Sequence, residues 1–376
     1  MNYRVPFVDL PTNFKNLEKE IRSLLEDVLW RRADFILRED LQKFENNAAS
    51  YLGVKHAIGL NSGTDALSLA LRTIDVRPGD EVITVAHTFV ATVAAIAHQG
   101  TIPILIDVNK DQVMNANLIE DAITLKTCAI IPVHLNGHMC DMEKIMSIAQ
   151  KYNLRVIEDA AQAWGATFDG KKAGTFGLVG CFSLYPMKLL GGIGDGGILV
   201  TNDDNIFERV LRLRDHGQNR KTGEILEYGY NSRLDNLNAA ILNTKIQHLP
   251  RWIERRREIA TLYHRGLSEF PFLQLPVSPE ESGKYFDVFQ NYVVRSRERD
   301  KLVEHLKRDG IETLISWRIP LHHQKSLNLN HFHLPETEQI SKEVVSLPMN
   351  TEITDDQVKF IINSINNFYV KELEKV

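Results

Sequence analysis

Residues 81–107, EVITVAHTFVATVAAIAHQGTIPILID, decide the fold class. Glu81 to Val85 is a short β-branched run that reads as a strand, Thr88 to His98 carries helical spacing, and Ile102 to Asp107 is a second apolar strand. Strands joined by a helical segment of about ten residues make βαβ units and a parallel sheet. The alternation extends both ways. Upstream, Leu41 to Leu52 reads as a helix stopped by Gly53, Ala57 to Leu60 as a buried strand, and the residues from Leu67 as a helix. Downstream, a helix is expected within Ala116 to Leu125, a strand over Ala129 to His134, a helix over Met142 to Tyr152 and a strand over Leu154 to Glu158. The expectation is α/β: a large domain with a mostly parallel sheet covered by helices on both faces.

Ligands of such sheets sit beyond the carboxyl ends of the strands. The residues there are Asn61 to Asp65, Ala86 to Phe89, His134 to Gly137 and Asp159 to Gln162. Asn61 to Leu67 ends a strand in a Gly-Thr turn and opens a helix, an arrangement that suits a phosphate and equally suits an ordinary N-cap. Glu158 and Asp159 offer one carboxylate to the same edge. Side chains alternate along a strand, so either residue is possible, and capping of the next helix is the structural alternative.

Residues 180–202, GCFSLYPMKLLGGIGDGGILVTN, place Lys188 in a short loop between two strand-like runs. Held by sheet on both sides, such an amine is partly desolvated, which lowers its pKa and frees it to form a Schiff base. A solvated surface lysine is the ordinary alternative. Gly192 to Gly197 matches a dinucleotide fingerprint by letter, but the glycines run into a β-branched strand where that fingerprint needs a helix. Gly191, Gly192, Gly194, Gly196 and Gly197 are read as letting the backbone pass close to a bulky planar group, a cofactor ring.

The remainder frames this centre. Leu17, Ile21, Leu24, Leu25 and Val28 mark one face of an N-terminal helical arm. Asp215 to Tyr230 is a polar span without periodicity, and Gly229 to Asp235 leads into a helix over Leu237 to Ile246. Pro250 and the basic run to Arg257 begin another helix, with Arg255 to Arg257 read as a solvated face. Strands over Phe289 to Val294 and Ile311 to Ile315, with helices over Arg299 to Asp309 and Asp355 to Phe368, indicate a smaller α+β domain. The expected division is residues 1–250 and 251–376. Trp317 to His323 is expected to face the cleft between domains, and the His322-His323 pair, lacking an H-x-x-x-H pattern or a carboxylate partner in the sequence, gives no metal site.

The net charge of −5 over 376 residues gives no general attraction to nucleic acid or anionic membrane. Cys128, Cys140 and Cys181 are scattered and odd in number, which fits a reducing cytoplasm rather than a disulfide framework. No apolar run approaches the roughly 18 residues of a membrane span, and the N-terminus carries no leader pattern. A soluble protein with small-molecule partners is expected.

Several stretches in order resemble the DegT/StrS-type sugar aminotransferases, fold-type I enzymes dependent on pyridoxal 5'-phosphate. They are Phe7 to Leu10, Asn61 to Leu67, Gly79 to Ile83, Glu158 to Gln162, Ser183 to Gly197, Asn231 to Asp235, Pro320 to His322 and Leu347-Pro348. The resemblance implies that Lys188 bonds the cofactor and shuttles the proton, Asp159 pairs with its pyridine nitrogen, Gln162 bonds the ring hydroxyl and Phe89 stacks on the ring. It implies that Thr64, the Asp65 backbone N–H and Ser183 hold the phosphate, that Asn231 reaches it from a second subunit of a homodimer with shared active sites, and that Arg233 contacts a substrate anion. Tyr185, Trp317 and His322 are expected at the substrate. Trp164 stands where many members have histidine, and Trp317-Arg318 replaces a common Tyr-Pro; both are expected to border the sugar. Asp195 in Gly194 to Gly197 is similar to members that aminate C3. The implied reaction is transfer of an amine, from L-glutamate, to a nucleotide-diphospho-keto-sugar, with a 3-keto-6-deoxyhexose favoured. The alternatives are a 4-keto-sugar aminotransferase, a pyridoxamine-dependent sugar dehydratase, in which histidine would replace Lys188, and a non-catalytic cofactor-binding regulator.

Overall fold

The structure, a computed structural model, describes residues 3–270, 272–281 and 283–373. Strands β1 (His56–Leu60), β2 (Glu81–Val85), β3 (Ile102–Ile106), β4 (Thr127–Ile130) and β5 (Arg155–Asp159) are each a short run of mostly buried residues. A two-residue hairpin, β6 (Thr167–Phe168) and β7 (Lys171–Lys172), leaves the sheet before β8 (Val179–Ser183) and β9 (Gly197–Thr201) return to it. The seven-stranded order is β1-β9-β8-β5-β4-β2-β3. Only β9 runs antiparallel to its neighbours; the ladders from β8 across to β3 are all parallel. The α/β sheet read from residues 81–107 is therefore present, with β2 and β3 in direct parallel register.

Helices cover both faces. Two N-terminal helices, α1 (Leu10–Asn16) and α2 (Glu18–Glu26), run through a π-helical turn at Asp27–Arg32 to α3 (Glu39–Leu52), which ends at Gly53 in the left-handed conformation. Then come α4 (Gly63–Thr73), α5 (Val90–His98), α6 (Met142–Tyr152), α7 (Asp204–Leu213) and α8 (Asn236–Leu267). Apolar residues of α4, α5 and α7 form one core with Ile157 of β5, while α3, α6 and the first half of α8 form the other with Val156. Alternation along β5 thus assigns its odd residues to one face and its even residues to the other.

The second half of α8 packs against an antiparallel sheet of β10 (Leu273–Gln274), β12 (Tyr292–Ser296) and β13 (Val344–Leu347), while β11 (Tyr285–Phe286) extends the β6-β7 hairpin. Helices α9 (Arg299–Arg308), α10 (Pro335–Glu343) and α11 (Asp355–Leu373) flank that sheet. Val5 joins this second core through a bridge to Ile311. No helix among the described residues is long and apolar enough to cross a membrane.

Four local expectations fail. Ala116 to Leu125 folds as two 3-10 turns, Ala116–Leu118 and Glu120–Ala122, because the Asn115 side chain accepts from Asn117 N–H and starts a tighter turn. Ile311 to Ile315 makes only isolated bridges to Val5 and Ser346. Helix α8 runs unbroken through Pro250, so the two helices expected around it are one. Arg255 to Arg257 is not a solvated face. Arg256 is buried and donates to the Phe289 and Gln290 carbonyls, and Arg257 to those of Asp287 and Pro279. Burial lowers the Arg256 guanidinium pKa to about 10.

Candidate active site

A cavity of about 500 Å³ opens at the carboxyl edge of the large sheet. Its walls bring together Thr64, Phe89, Asp159, Gln162, Ser183, Tyr185, Lys188 and Asp195 from five separate stretches of chain. Each stretch adjoins a strand end or opens a helix at one edge of the sheet, which is why residues distant in sequence meet.

Asp159 ends β5 on the α4 face. Its Oδ2 accepts from Thr92 Oγ1 at 2.8 Å and its Oδ1 from Ala161 N at 3.2 Å. Burial pushes the carboxyl pKa up; the Thr92 and Ala161 hydrogen bonds and the charge of Lys188 offset this in part. Glu158 points the other way. It is fully buried and accepts from Gly174 N, Phe176 N and Gly177 N at 2.8, 2.6 and 2.7 Å, and it pairs with His134 Nε2 at 2.9 Å. Cys140 N–H donates to His134 Nδ1, so the proton of that ring sits on Nε2 and is donated to Glu158. The choice left open between the two carboxylates is decided by these partners: Glu158 is committed to the loop before β8, and Asp159 faces the cavity.

Lys188 lies in the β8-β9 loop, where its N–H donates to the Tyr185 carbonyl at 2.8 Å. Buried Gln290 clamps this loop from the β12 side, accepting from Leu189 N at 2.7 Å and donating to the Met187 carbonyl at 3.0 Å. Among the described residues Lys188 Nζ has neither a hydrogen bond nor an ion pair within 4 Å. Burial pushes the amine pKa below the ordinary lysine value, and the Asp159 charge partly restores it.

Helix α4 begins at the same edge. Ser62 is its N-cap and accepts from Asp65 N at 3.0 Å, while the Asp65 carboxylate accepts from Ser232 Oγ at 2.6 Å. The Asp65 N–H is thus already engaged, and the Gly63 and Thr64 end of the helix faces the cavity. Gln162 Oε1 accepts from Asn136 N at 2.8 Å.

A model described as the DegT/DnrJ/EryC1/StrS aminotransferase family matches residues 15–366. The chain belongs to this family. It is 43% identical to a Geobacillus stearothermophilus protein called "Pleiotropic regulatory protein" over 97% of this chain and 98% of that one. It is 41% identical to an Acidithiobacillus ferrooxidans protein named as a UDP-N-acetyl-3-dehydro-alpha-D-glucosamine 3-aminotransferase, covering 97% and 98% of the two chains. Among solved structures it resembles S. venezuelae DesV in complex with a ketimine intermediate, with a TM-score of 0.93 and 37% identity over 97% of this chain and 98% of that one.

DegT/DnrJ/EryC1/StrS aminotransferases use pyridoxal phosphate. The residues present fit that group: an amine without an ion-pair partner on one wall, a buried carboxylate on another, and the start of a helix, all around one cavity large enough for a small aromatic phosphate.

Other residues of the expected site lie elsewhere. Asn231 is exposed and outside this cavity, and Arg233 pairs with Asp215 at 2.9 Å. Trp317, left-handed at φ 53°, sets its ring edge-on to His87 with centroids 5.3 Å apart. His322 is buried beside Glu338. None of the four lines the cavity. Trp164, expected to border the sugar, is buried in the core between Phe182 and Tyr51.

The glycine reading is also corrected. A Cβ on Gly191 would meet the Tyr185 and Pro186 carbonyls, one on Gly192 the Asn238 side chain, and one on Gly197 the Ser62 carbonyl. These three let the chain approach itself and Gly194 is in open space, while Gly196 is the one of the five that lines the cavity. His134 is among the strand-end residues read from the sequence, whereas Thr92 and Gln290 are not singled out there. A threonine four residues after Thr88, on the same helical face, was the one available signal.

Proposed function

We propose that this aminotransferase moves an amine from L-glutamate to a nucleotide-diphospho-sugar carrying a keto group at C3, with Lys188 and Asp159 as its catalytic residues. The observation that carries this reading is that the Lys188 amine and the Asp159 carboxylate face one cavity while the neighbouring Glu158 is tied to backbone N–H groups.

Bound pyridoxal phosphate supplies the electron sink that stabilises a carbanion at the amine-bearing carbon. Asp159, held by Thr92 and Ala161, presents a fixed negative charge for the pyridinium nitrogen. Lys188 Nζ would hold the cofactor and, freed when the donor takes its place, would carry the proton from the donor's α carbon to the cofactor carbon that takes up the amine. In the second half of the reaction it would carry a proton from that carbon to the sugar carbon that receives the amine. Burial suits it to this work, since a lowered pKa keeps a larger fraction of the amine neutral near pH 7. Gln162 holds the ring hydroxyl and Phe89, 61% exposed at the cavity, covers the ring face. Thr64 and Ser183, with the α4 N-terminus, hold the phosphate.

Asp195 on the cavity wall and the name of the A. ferrooxidans relative support amination at C3. A homodimer is supported by the outward position of Asn231 and by exposed aromatic side chains, Trp30 at 81% and Tyr228 at 91%. In it, Asn231 of one subunit reaches the cofactor phosphate of the other.

Purified protein with pyridoxal phosphate and glutamate, offered a panel of 3-keto and 4-keto nucleotide sugars, tests this. Formation of 2-oxoglutarate together with a 3-amino sugar is expected. Turnover confined to 4-keto substrates overturns the C3 assignment, and no conversion of glutamate overturns the catalytic reading.

A further inference from the structure

The sequence offers His322 and His323 without a carboxylate partner; the fold supplies one. Glu338, in α10, turns its Oε1 toward three imidazoles. His322 Nε2 stands 3.4 Å from it, His323 Nε2 3.7 Å and His333 Nδ1 3.8 Å. The histidines come from the 3-10 turn Leu321–His323 and from the loop just before α10, so two local segments converge on one oxygen of α10.

We propose that His322, His323 and Glu338 form a binding site for a divalent transition-metal ion, with Zn²⁺ the cation that suits this donor set and His333 at its outer edge. The distances carry it. The 3.7 Å contact between His323 and Glu338 is too long for a hydrogen bond. It is near the ligand-to-ligand spacing of about 3.4 Å in a tetrahedral site with metal–ligand bonds of roughly 2.0–2.1 Å. The ligand atoms of His322, His323 and Glu338 already lie within 4.8 Å of one another. Mutual ion pairing explains the cluster less well, because the His322 and His323 rings are 4.2 Å apart and two imidazoliums at that distance repel. A single cation satisfies both rings and the carboxylate together. Access is open, since the His323 side chain is 47% exposed.

Three protein ligands leave one tetrahedral position for water, but none of the three lines the cavity of Lys188 and Asp159, so the ion acts as a clamp. Helix α10 is anchored to the sheet by Asp107, which accepts from Glu336 N, Thr337 N and Thr337 Oγ1 at 2.8, 2.8 and 2.7 Å. Metal across His323 and Glu338 ties the segment after Trp317 to the same anchor.

The test uses full-length protein freed of any histidine tag, stripped with a chelator, and titrated with Zn²⁺ alone by calorimetry, with bound metal counted by elemental analysis. One Zn²⁺ per chain is expected, together with a rise in Tm. His323→Ala and Glu338→Gln should each weaken binding by roughly tenfold or more while the far-UV circular dichroism is unchanged. Co²⁺ in place of Zn²⁺ should give the intense visible bands of a tetrahedral site. Sub-stoichiometric binding, equal affinity in the variants, or weak octahedral Co²⁺ bands overturn the proposal. Should either variant fail to fold, His323→Gln, at the most exposed of the three ligands, decides the matter by the same titration.

Discussion

Glu158 and Asp159 are consecutive residues whose carboxylates face opposite sides of β5: Glu158 accepts three backbone N–H groups of the 174–177 loop, and Asp159 accepts the Thr92 hydroxyl beside the cavity. Their conservative amides should therefore separate folding from chemistry. Glu158→Gln places an NH₂ where an acceptor is required and should cost about 2–4 kcal/mol in urea unfolding. Asp159→Asn should fold with near-native stability and lose at least about 100-fold in turnover, because the fixed charge at the cavity is gone. Equal loss of stability in both variants would show that the two carboxylates are not divided in this way.

The Thr92 hydroxyl lowers an Asp159 pKa that burial has raised. Thr92→Val removes that donor, so the carboxyl should titrate at still higher pH and less of it should be ionised on the acid side. The acid limb of the pH–rate profile should move to higher pH, with the alkaline limb unmoved. An unshifted acid limb in Thr92→Val contradicts the assignment of Asp159 to that ionisation.

Lys245 is buried with its ammonium over the Phe14 and Trp252 rings, 4.9 and 5.8 Å from their centroids, and burial lowers its pKa to about 8. A lysine whose folded pKa lies below its unfolded value of 10.5 costs stability when protonated. That cost is absent above 10.5, grows as pH falls, and is complete below about 8. Allowing for the lost ring contacts, Lys245→Met should stabilise the chain by on the order of 2 kcal/mol at pH 7. The gain should shrink as the pH approaches 10, which urea unfolding at the two pH values will read.

The parallel sheet was legible because its strands and helices differ in periodicity and follow one another in short alternation. Ala116 to Leu125 was not, since its apolar spacing suits a helix and only the Asn115 side chain favours the tighter turn. Within the site, Lys188 and the strand ends could be found from position alone. The choice of Asp159 over Glu158 depended on partners some 16 to 67 residues away, such as Gly174 and Thr92, that no local pattern reveals. Glu338 was invisible as a partner of His322 for the same reason. Gly191, Gly192 and Gly197 were noticed for the wrong cause, because a close approach in sequence does not say what is approached.

If Asn231 completes the site of the other subunit, two inactive variants should rescue each other. Lys188→Ala subunits keep Asn231, and Asn231→Ala subunits keep Lys188. Mixed by unfolding and refolding together, half the dimers are hybrids with one intact site each, so activity should return to about a quarter of the wild-type level. No recovery above that of the separate variants places Asn231 in its own subunit's site or outside the chemistry.

Gly197 pairs with Leu60 across β9 and β1, directly beneath the start of α4. A Cβ there would lie 2.2 Å from the Ser62 carbonyl oxygen and 2.6 Å from Gly63 N, both backbone atoms that cannot rotate away. Gly197→Ala must therefore push the first turn of α4 off the sheet, away from Ser183, against which Gly63 is packed at contact distance. The expected cost is about 1–3 kcal/mol of overpacking, with a further loss of pyridoxal phosphate affinity as the helix N-terminus moves from the phosphate. Gly194→Ala is the matched control, since nothing lies within 4 Å of its added methyl. It should leave stability within about 0.5 kcal/mol and cofactor affinity unchanged. Equilibrium dialysis against the cofactor and urea unfolding of both variants test the difference. Tight cofactor binding by Gly197→Ala would mean that the α4 N-terminus does not hold the phosphate.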